Sequence, residues 1–85
     1  ESGAHVEREL ALVKVAGTGD KRIEALRLAD VFRAKVVDTT LESFIFEITG
    51  NSDKVDSFVN LMRGCGLVEV GRTGVVAIAR GAGAA

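Results

Sequence analysis

Few side chains in this 85-residue chain combine the types and spacings that chemistry needs. Residues 16–21 read A-G-T-G-D-K, between the apolar run L-A-L-V-K-V and an amphipathic stretch. In that setting backbone N–H groups often cradle phosphates. A dinucleotide fingerprint needs G-x-G-x-x-G, however, and a P-loop needs G-x-x-x-x-G-K-[ST]. The segment has neither the third glycine nor the Lys-Ser/Thr pair, and Asp20 would repel an anion. It therefore reads as a strand-to-helix turn with an acid at the helix start. His5 is the sole histidine, and on extended backbone it shares a face with Glu7 and Glu9, a conceivable metal site. One imidazole and two exposed acids make a poor ligand set without a second chain, so a solvated edge beside Arg8 is the preferred reading. A Ser2–His5 nucleophile–base pair would sit in a chain terminus, which is a poor platform for catalysis. Cys65, in R-G-C-G-L, falls at the negative end of a helix dipole; this raises a thiol pKa and leaves Cys65 a small, part-buried side chain. No nucleophile, base and oxyanion donor come together, so the chain is not expected to be an enzyme by itself.

Composition narrows the function further. The formal net charge is −1 and the pI about 5.8, with arginines scattered along the chain, so nucleic-acid binding is not expected. Trp and Tyr are absent, and the four Phe are the sole stacking surfaces. A single cysteine forms no internal disulfide and no multi-cysteine zinc cluster, and it suits a reducing compartment such as the cytoplasm. No segment approaches the roughly twenty apolar residues of a membrane span. The opening E-S-G-A-H-V-E-R-E lacks the basic region and apolar run of a signal peptide, and its lack of Met points to excision from a longer chain.

The elements that must position any site follow from periodicity. Arg8–Val15 is apolar on both alternations, Leu10 and Leu12 on one side and Ala11, Val13 and Val15 on the other, as in a strand covered on both faces. Asp20–Arg33 carries Ala25, Leu28, Ala29 and Phe32 on one helical stripe, with Asp20 and Arg33 complementing the two ends of the dipole. Lys35–Thr39 reads as a short strand. Ser43–Thr49 reads as a half-buried one, with Phe44, Phe46 and Ile48 on one face and Glu47 on the other. Asn51 or Ser52 caps a second helix, whose stripe is Val55, Phe58, Val59 and Met62; Gly64 and Gly66 end it in left-handed conformations. Leu67–Val70 is a strand, Gly71–Gly74 a turn or bulge, and Val75–Arg80 a last extended piece.

A repeat organises these elements. V-A-G-T-G-D-K at residues 15–21 is echoed by I-T-G-N-S-D-K at residues 48–54, an offset of 33. Two split β-α-β halves with right-handed crossovers build a ferredoxin-like βαββαβ sandwich, an α+β fold. It has an antiparallel sheet, both helices on one face and a possible short fifth strand. The other face of the sheet needs cover, since Leu10 and Leu12, or their opposites, are too apolar to meet water. Pairing with a second copy supplies that cover. Ile23 and Leu26 lie off the helix 1 stripe, as scattered surface residues or as a contact patch.

G-A-H-V-E-R-E-L-A-L-V-K-V, D-V-F-R-A-K-V-V-D-T-T, S-F-I-F-E-I-T-G and V-E-V-G-R-T-G-V-V-A-I-A-R-G together resemble a known family. They are similar to the C-terminal half of the regulatory (small) subunit of acetohydroxyacid synthase, also called acetolactate synthase. The resemblance covers Gly3–Gly81, and its most specific pieces are H-V-E-R-E-L and R-T-G-V-V at Arg72–Val76. It implies an ACT-like domain over residues 8–81, with residues 1–7 as a linker arm and 82–85 as a disordered tail. It also implies a non-catalytic role in branched-chain amino-acid (valine, leucine, isoleucine) biosynthesis: pairing as a homodimer, and binding and activating the large catalytic subunit. That subunit holds thiamine diphosphate, FAD and Mg²⁺, and none is expected here. The feedback effector belongs to the N-terminal ACT half, which has no matching positions in this chain. The setting is the bacterial cytoplasm, or the plastid of a plant. Leu10, Leu12, Ile23, Leu26 and Arg72 are the candidate partner or dimer contacts. The alternative is a stand-alone small-molecule or metal-sensing ACT-like module, built on His5/Glu7/Glu9 across a dimer or on the two Gly turns.

Overall fold

A computed structural model describes residues 5–82. The elements run β1 (His5–Ala16), α1 (Asp20–Val31), β2 (Lys35–Thr39), β3 (Ser43–Gly50), α2 (Ser52–Arg63), β4 (Leu67–Arg72) and β5 (Val76–Ala79). Strands order as β2-β3-β1-β4, all antiparallel, and the long central β1 also pairs with β5. This is the ferredoxin-type α+β arrangement that the repeat implies, and the ACT-like domain that the resemblance implies.

Alternation along β1 decides which side faces the helices. Ala11, Val13 and Val15 are buried, as are Phe44, Phe46 and Ile48 on the neighbouring β3. They pack beneath Val55, Phe58, Val59 and Met62 of α2 in one core cluster. The Phe58 ring meets Phe32 at 5.4 Å and the edge of Phe46 at 6.1 Å, a geometry that adds to simple burial. The two halves of the repeat are unequal here. Helix α1 buries only Ala25 and Ala29, while Leu28 and Phe32 are half-buried at the margin of the core. Small side chains let α1 lie close to α2, and α2 covers β1, β3 and β4.

Several boundaries differ from the periodicity reading. Strand β1 starts at His5, three residues before Arg8, because β5 supplies its partner: His5 pairs with Ala79 and Arg8 with Val76. Residues 5–7, expected in a linker arm, are thus strand. Helix α1 ends at Val31, and Arg33 adopts φ 58°, left-handed and outside the helix, so it does not complement the last turn. Gly64 is right-handed at φ −76°, and the left-handed conformation falls to Gly66 alone, at φ +95°. The break expected at Gly71–Gly74 begins later, since β4 runs through Arg72. Of the expected tail, residues 83–85 lie outside the described residues, as does Ser2 of the proposed nucleophile pair.

The break itself is a β-bulge. Ala11 pairs with Arg72 and Arg8 with Val76, so Thr73, Gly74 and Val75 oppose only Glu9 and Leu10. Strands β4 and β5 run in the same direction along successive stretches of β1, as one edge strand with an extra residue. Thr73 holds the bulge: its N–H donates to the Leu10 carbonyl at 3.0 Å, and its Oγ1 accepts the Leu10 N–H at 3.1 Å.

Candidate functional site

The turn that first suggested a ligand is occupied by its own backbone. The Gly17 N–H donates to the Glu42 carbonyl at 2.8 Å, and the Ala16 N–H to the Gly66 carbonyl at 2.8 Å. Gly19, at φ 64°, starts α1 with no side-chain cap. The twin turn differs in detail, because Asn51 Oδ1 accepts the Lys54 N–H at 2.9 Å and Lys54 Nζ donates to the Thr49 carbonyl. Both loops are joints, with the Ala16 and Gly17 N–H groups of one and the Lys54 N–H of the other bonded within the chain.

Of the His5/Glu7/Glu9 face, both carboxylates are likewise committed within the chain, while His5 lies exposed at the start of β1. Ser52 Oγ donates to Glu7 Oε1 at 3.2 Å, linking the strand to the start of α2. Glu9, 6% exposed, receives a two-pronged guanidinium from Arg72: Nη2 to Oε1 at 2.7 Å and Nε to Oε2 at 3.1 Å. Arg72 Nη1 turns to Asp56 of α2 at 2.8 Å. Among the described residues no three His, Cys, Asp or Glu side chains gather at metal-ligating spacing. Cys65 is buried in the core; burial, with a smaller contribution from Glu24, pushes its thiol pKa up.

The Arg72 hydrogen bonds hold the Glu9 carboxyl below its usual 4.5, against the opposing effect of burial, and the Gly74 amide adds to the lowering. A carboxyl whose folded pKa is depressed stabilises the fold fully above its unfolded value, and that contribution is lost as pH falls through the lower folded one. Arg72→Met is therefore expected to raise the Glu9 pKa and to move acid unfolding to higher pH. Carboxyl NMR titration with an acid-unfolding curve checks this; an unchanged Glu9 pKa would refute the ion pair.

What remains is surface that the fold leaves bare. Leu10, Leu12 and Lys14 point away from the helices, Leu12 being 45% exposed. Across the sheet Leu12 faces Glu47 on β3 and Gly71 on β4, and Lys14 faces Ile45 and Glu69. Gly71 has no side chain, which opens a shallow hollow of about 270 Å³ walled by Leu12, Lys14, Ile45 and Glu69. Lys14 and Glu69 pair at 3.4 Å on this face, exposed enough to contribute little to stability. The same alternation carries Val6 and Arg8 onward along β1. With Val76 and Ile78 they line a second, larger hollow of about 490 Å³ on the β1–β5 ribbon.

The five sequence-derived contact residues do not form one patch. Leu10 and Leu12 share the open sheet face. Ile23, 58% exposed, and Leu26 sit on α1, in the opposite layer. Arg72 is engaged internally with Glu9 and Asp56. Ile45, Lys14, Glu69 and Gly71 were missed. Ile45 had a signal, an apolar residue in the polar phase of F-I-F-E-I, whereas the hollow at Gly71 needed the β1–β4 register.

The two most specific stretches of sequence meet at the bulge, with Glu9 of H-V-E-R-E-L held by Arg72 of R-T-G-V-V. Residues 8–81 match the family model described as the small subunit of acetolactate synthase. The chain belongs to the acetolactate synthase small-subunit family. It is 50% identical over 76 residues to a probable acetolactate synthase small subunit of Archaeoglobus fulgidus, covering 89% of this chain and 48% of that protein. With the acetolactate synthase small subunit of Haemophilus influenzae it shares 41% identity over 78 residues, 91% of this chain and 48% of that protein. The crystal structure of the Thermotoga maritima acetolactate synthase small subunit superposes with a TM-score of 0.84 at 44% identity, over 92% of this chain and 48% of that one. The chain thus spans about half the length of the small subunits it matches. Among its described residues no helix is long and apolar enough to cross a membrane.

Proposed function

We propose that this domain is a regulatory, non-catalytic part of acetolactate synthase that pairs with a second copy through its open sheet face and helps hold and activate the catalytic subunit. The observation that carries the reading is that face. Leu10, Leu12 and Ile45 form an apolar centre flanked by Lys14, Glu47 and Glu69, on a sheet whose opposite side is filled by helices. An antiparallel sheet with one dry face ordinarily turns a polar face to water, and this one sets three large aliphatic side chains among its charges. Mixed charges around an apolar centre suit a self-complementary two-fold contact. Membership of the small-subunit family supplies the large subunit as the other partner. On this reading thiamine diphosphate, FAD and Mg²⁺ reside in the large subunit, the assembly works in the cytoplasm or a plastid, and Ile23 and Leu26 on α1 are a second contact patch.

Mixing the domain with a cognate catalytic subunit should give a complex and raise acetolactate production, and Leu12→Arg should weaken self-association measured by sedimentation. Absence of both association and stimulation on mixing would overturn the assignment to the catalytic subunit. Unchanged sedimentation of Leu12→Arg would remove the open face from it.

A further inference from the structure

The sheet of this domain has four free edges, and three of them are guarded. Strand β2 carries Lys35 and Asp38 and is bent by a register shift between Val36 and Asp38. The outer edge of β4 carries Glu69 and Arg72. On β1, pairing with β3 ends at Glu9, which frees the edge of the charged segment His5–Arg8. Charges and bulges of this kind are how sheets discourage edge-to-edge pairing.

The fourth edge has no such guard. Residues 76–79 read V-A-I-A, without charge, proline or an internal bulge, and among the described residues their sheet pairing is to β1 alone. Val76 is 65% exposed and Ile78 70%. A two-stranded ribbon is marginal in water by itself, and this one leaves one row of β5 backbone groups unpaired.

We propose that β5 is a strand-addition site whose occupant is β5 of a second copy, paired antiparallel about a two-fold axis normal to the sheet. Such an axis preserves faces, so a register centred on Ala77 sets Ala77 against its own copy and Val76 against Ile78. Every opposed pair is then apolar, and large residues match large ones on the face shared with Val6. Each of the other edges brings charged residues into the pairing: on β1, registers about Glu7 or Arg8 place like charge on like charge, and on β4 a register about Glu69 opposes two carboxylates. The contact is isologous, so it closes at two copies, and its main-chain hydrogen bonds extend two ribbons into one four-stranded sheet. It is a surface distinct from the open face around Leu12, so the two contacts together would build assemblies larger than a dimer.

A charge-swap experiment on the whole 85-residue chain tests it by sedimentation, with circular dichroism to verify folding. Ala77→Lys or Ala77→Glu alone should raise the dissociation constant of the edge contact at least about tenfold, because each sets two like charges directly opposite. An equimolar mixture of the two variants should recover association, with lysine facing glutamate. Loss in each variant and recovery in the mixture supports β5 pairing. Assembly masses unaltered by either variant, or loss without recovery, would overturn it. Leu12→Arg in parallel separates this contact from the open face. A mass reduced by Leu12→Arg but not by either Ala77 variant would overturn the edge contact while leaving open-face pairing standing.

Discussion

Gly66→Ala should cost about 2–5 kcal/mol, although it adds only a methyl group. The left-handed backbone at Gly66, φ +95°, disfavours any Cβ by about 1–2 kcal/mol. Steric overlap adds a further loss of about 1–3 kcal/mol, the usual range for overpacking a tight site. The overlap here is with backbone, since a Cβ at Gly66 would run into the carbonyl oxygen of Ala16. Ala16 ends the central strand β1 and donates its own N–H to the Gly66 carbonyl, so neither segment can retreat without losing that bond. A domain of this size holds about 4–13 kcal/mol in all, so the loss is a large fraction of the total. Gly64→Ala is the control: Gly64 is right-handed, and a Cβ there meets its nearest neighbour at 3.6 Å. That change should stay within about 1 kcal/mol of the parent, because its conformation suits alanine. Urea unfolding of the two variants gives the comparison. Equal losses would refute the backbone argument.

Phe58→Ala should destabilise the domain by about 3–5 kcal/mol, the range for emptying a large aromatic site. Phe58 is fully buried on the sheet-facing side of α2, and its ring links Phe32 to Phe46. Its removal loosens α2, the helix that contributes the most buried core residues, from the strand pair that carries the open face. Loss of self-association should therefore follow global unfolding rather than precede it. Phe58→Leu, which keeps much of the volume, should lose less. Chemical denaturation with sedimentation at matched denaturant checks both variants. A loss under about 1 kcal/mol for the alanine change would place the core elsewhere.

The two glycines also show how far local reading of the sequence reaches. R-G-C-G-L marks a helix end, yet it does not say which glycine is left-handed. The answer depends on the close approach of β1 to the α2–β4 turn. Arg33 tells the same story: its position suggested a complement to the helix dipole, whereas the chain reverses there toward β2. Residues 5–7 look like an arm because a short polar-alternating run has no visible partner, and β5 lies some seventy residues away.

Sequence alone determined the order of elements, the helix and strand phases, the 33-residue repeat, the absence of a recognisable catalytic motif and the family resemblance. Each of these rests on neighbours within a turn or two of chain, or on motif identity, where periodicity and glycine chemistry act directly. The tertiary structure alone decided that Leu10 and Leu12, rather than Ala11, Val13 and Val15, form the bare face. It also decided that Arg72 serves Glu9 and Asp56 and that β5 presents an unguarded edge. Those outcomes depend on which side of a doubly apolar strand receives the helices, and on pairings between residues well separated along the chain. No local period encodes such pairings; the register of β1 against β3, β4 and β5 does.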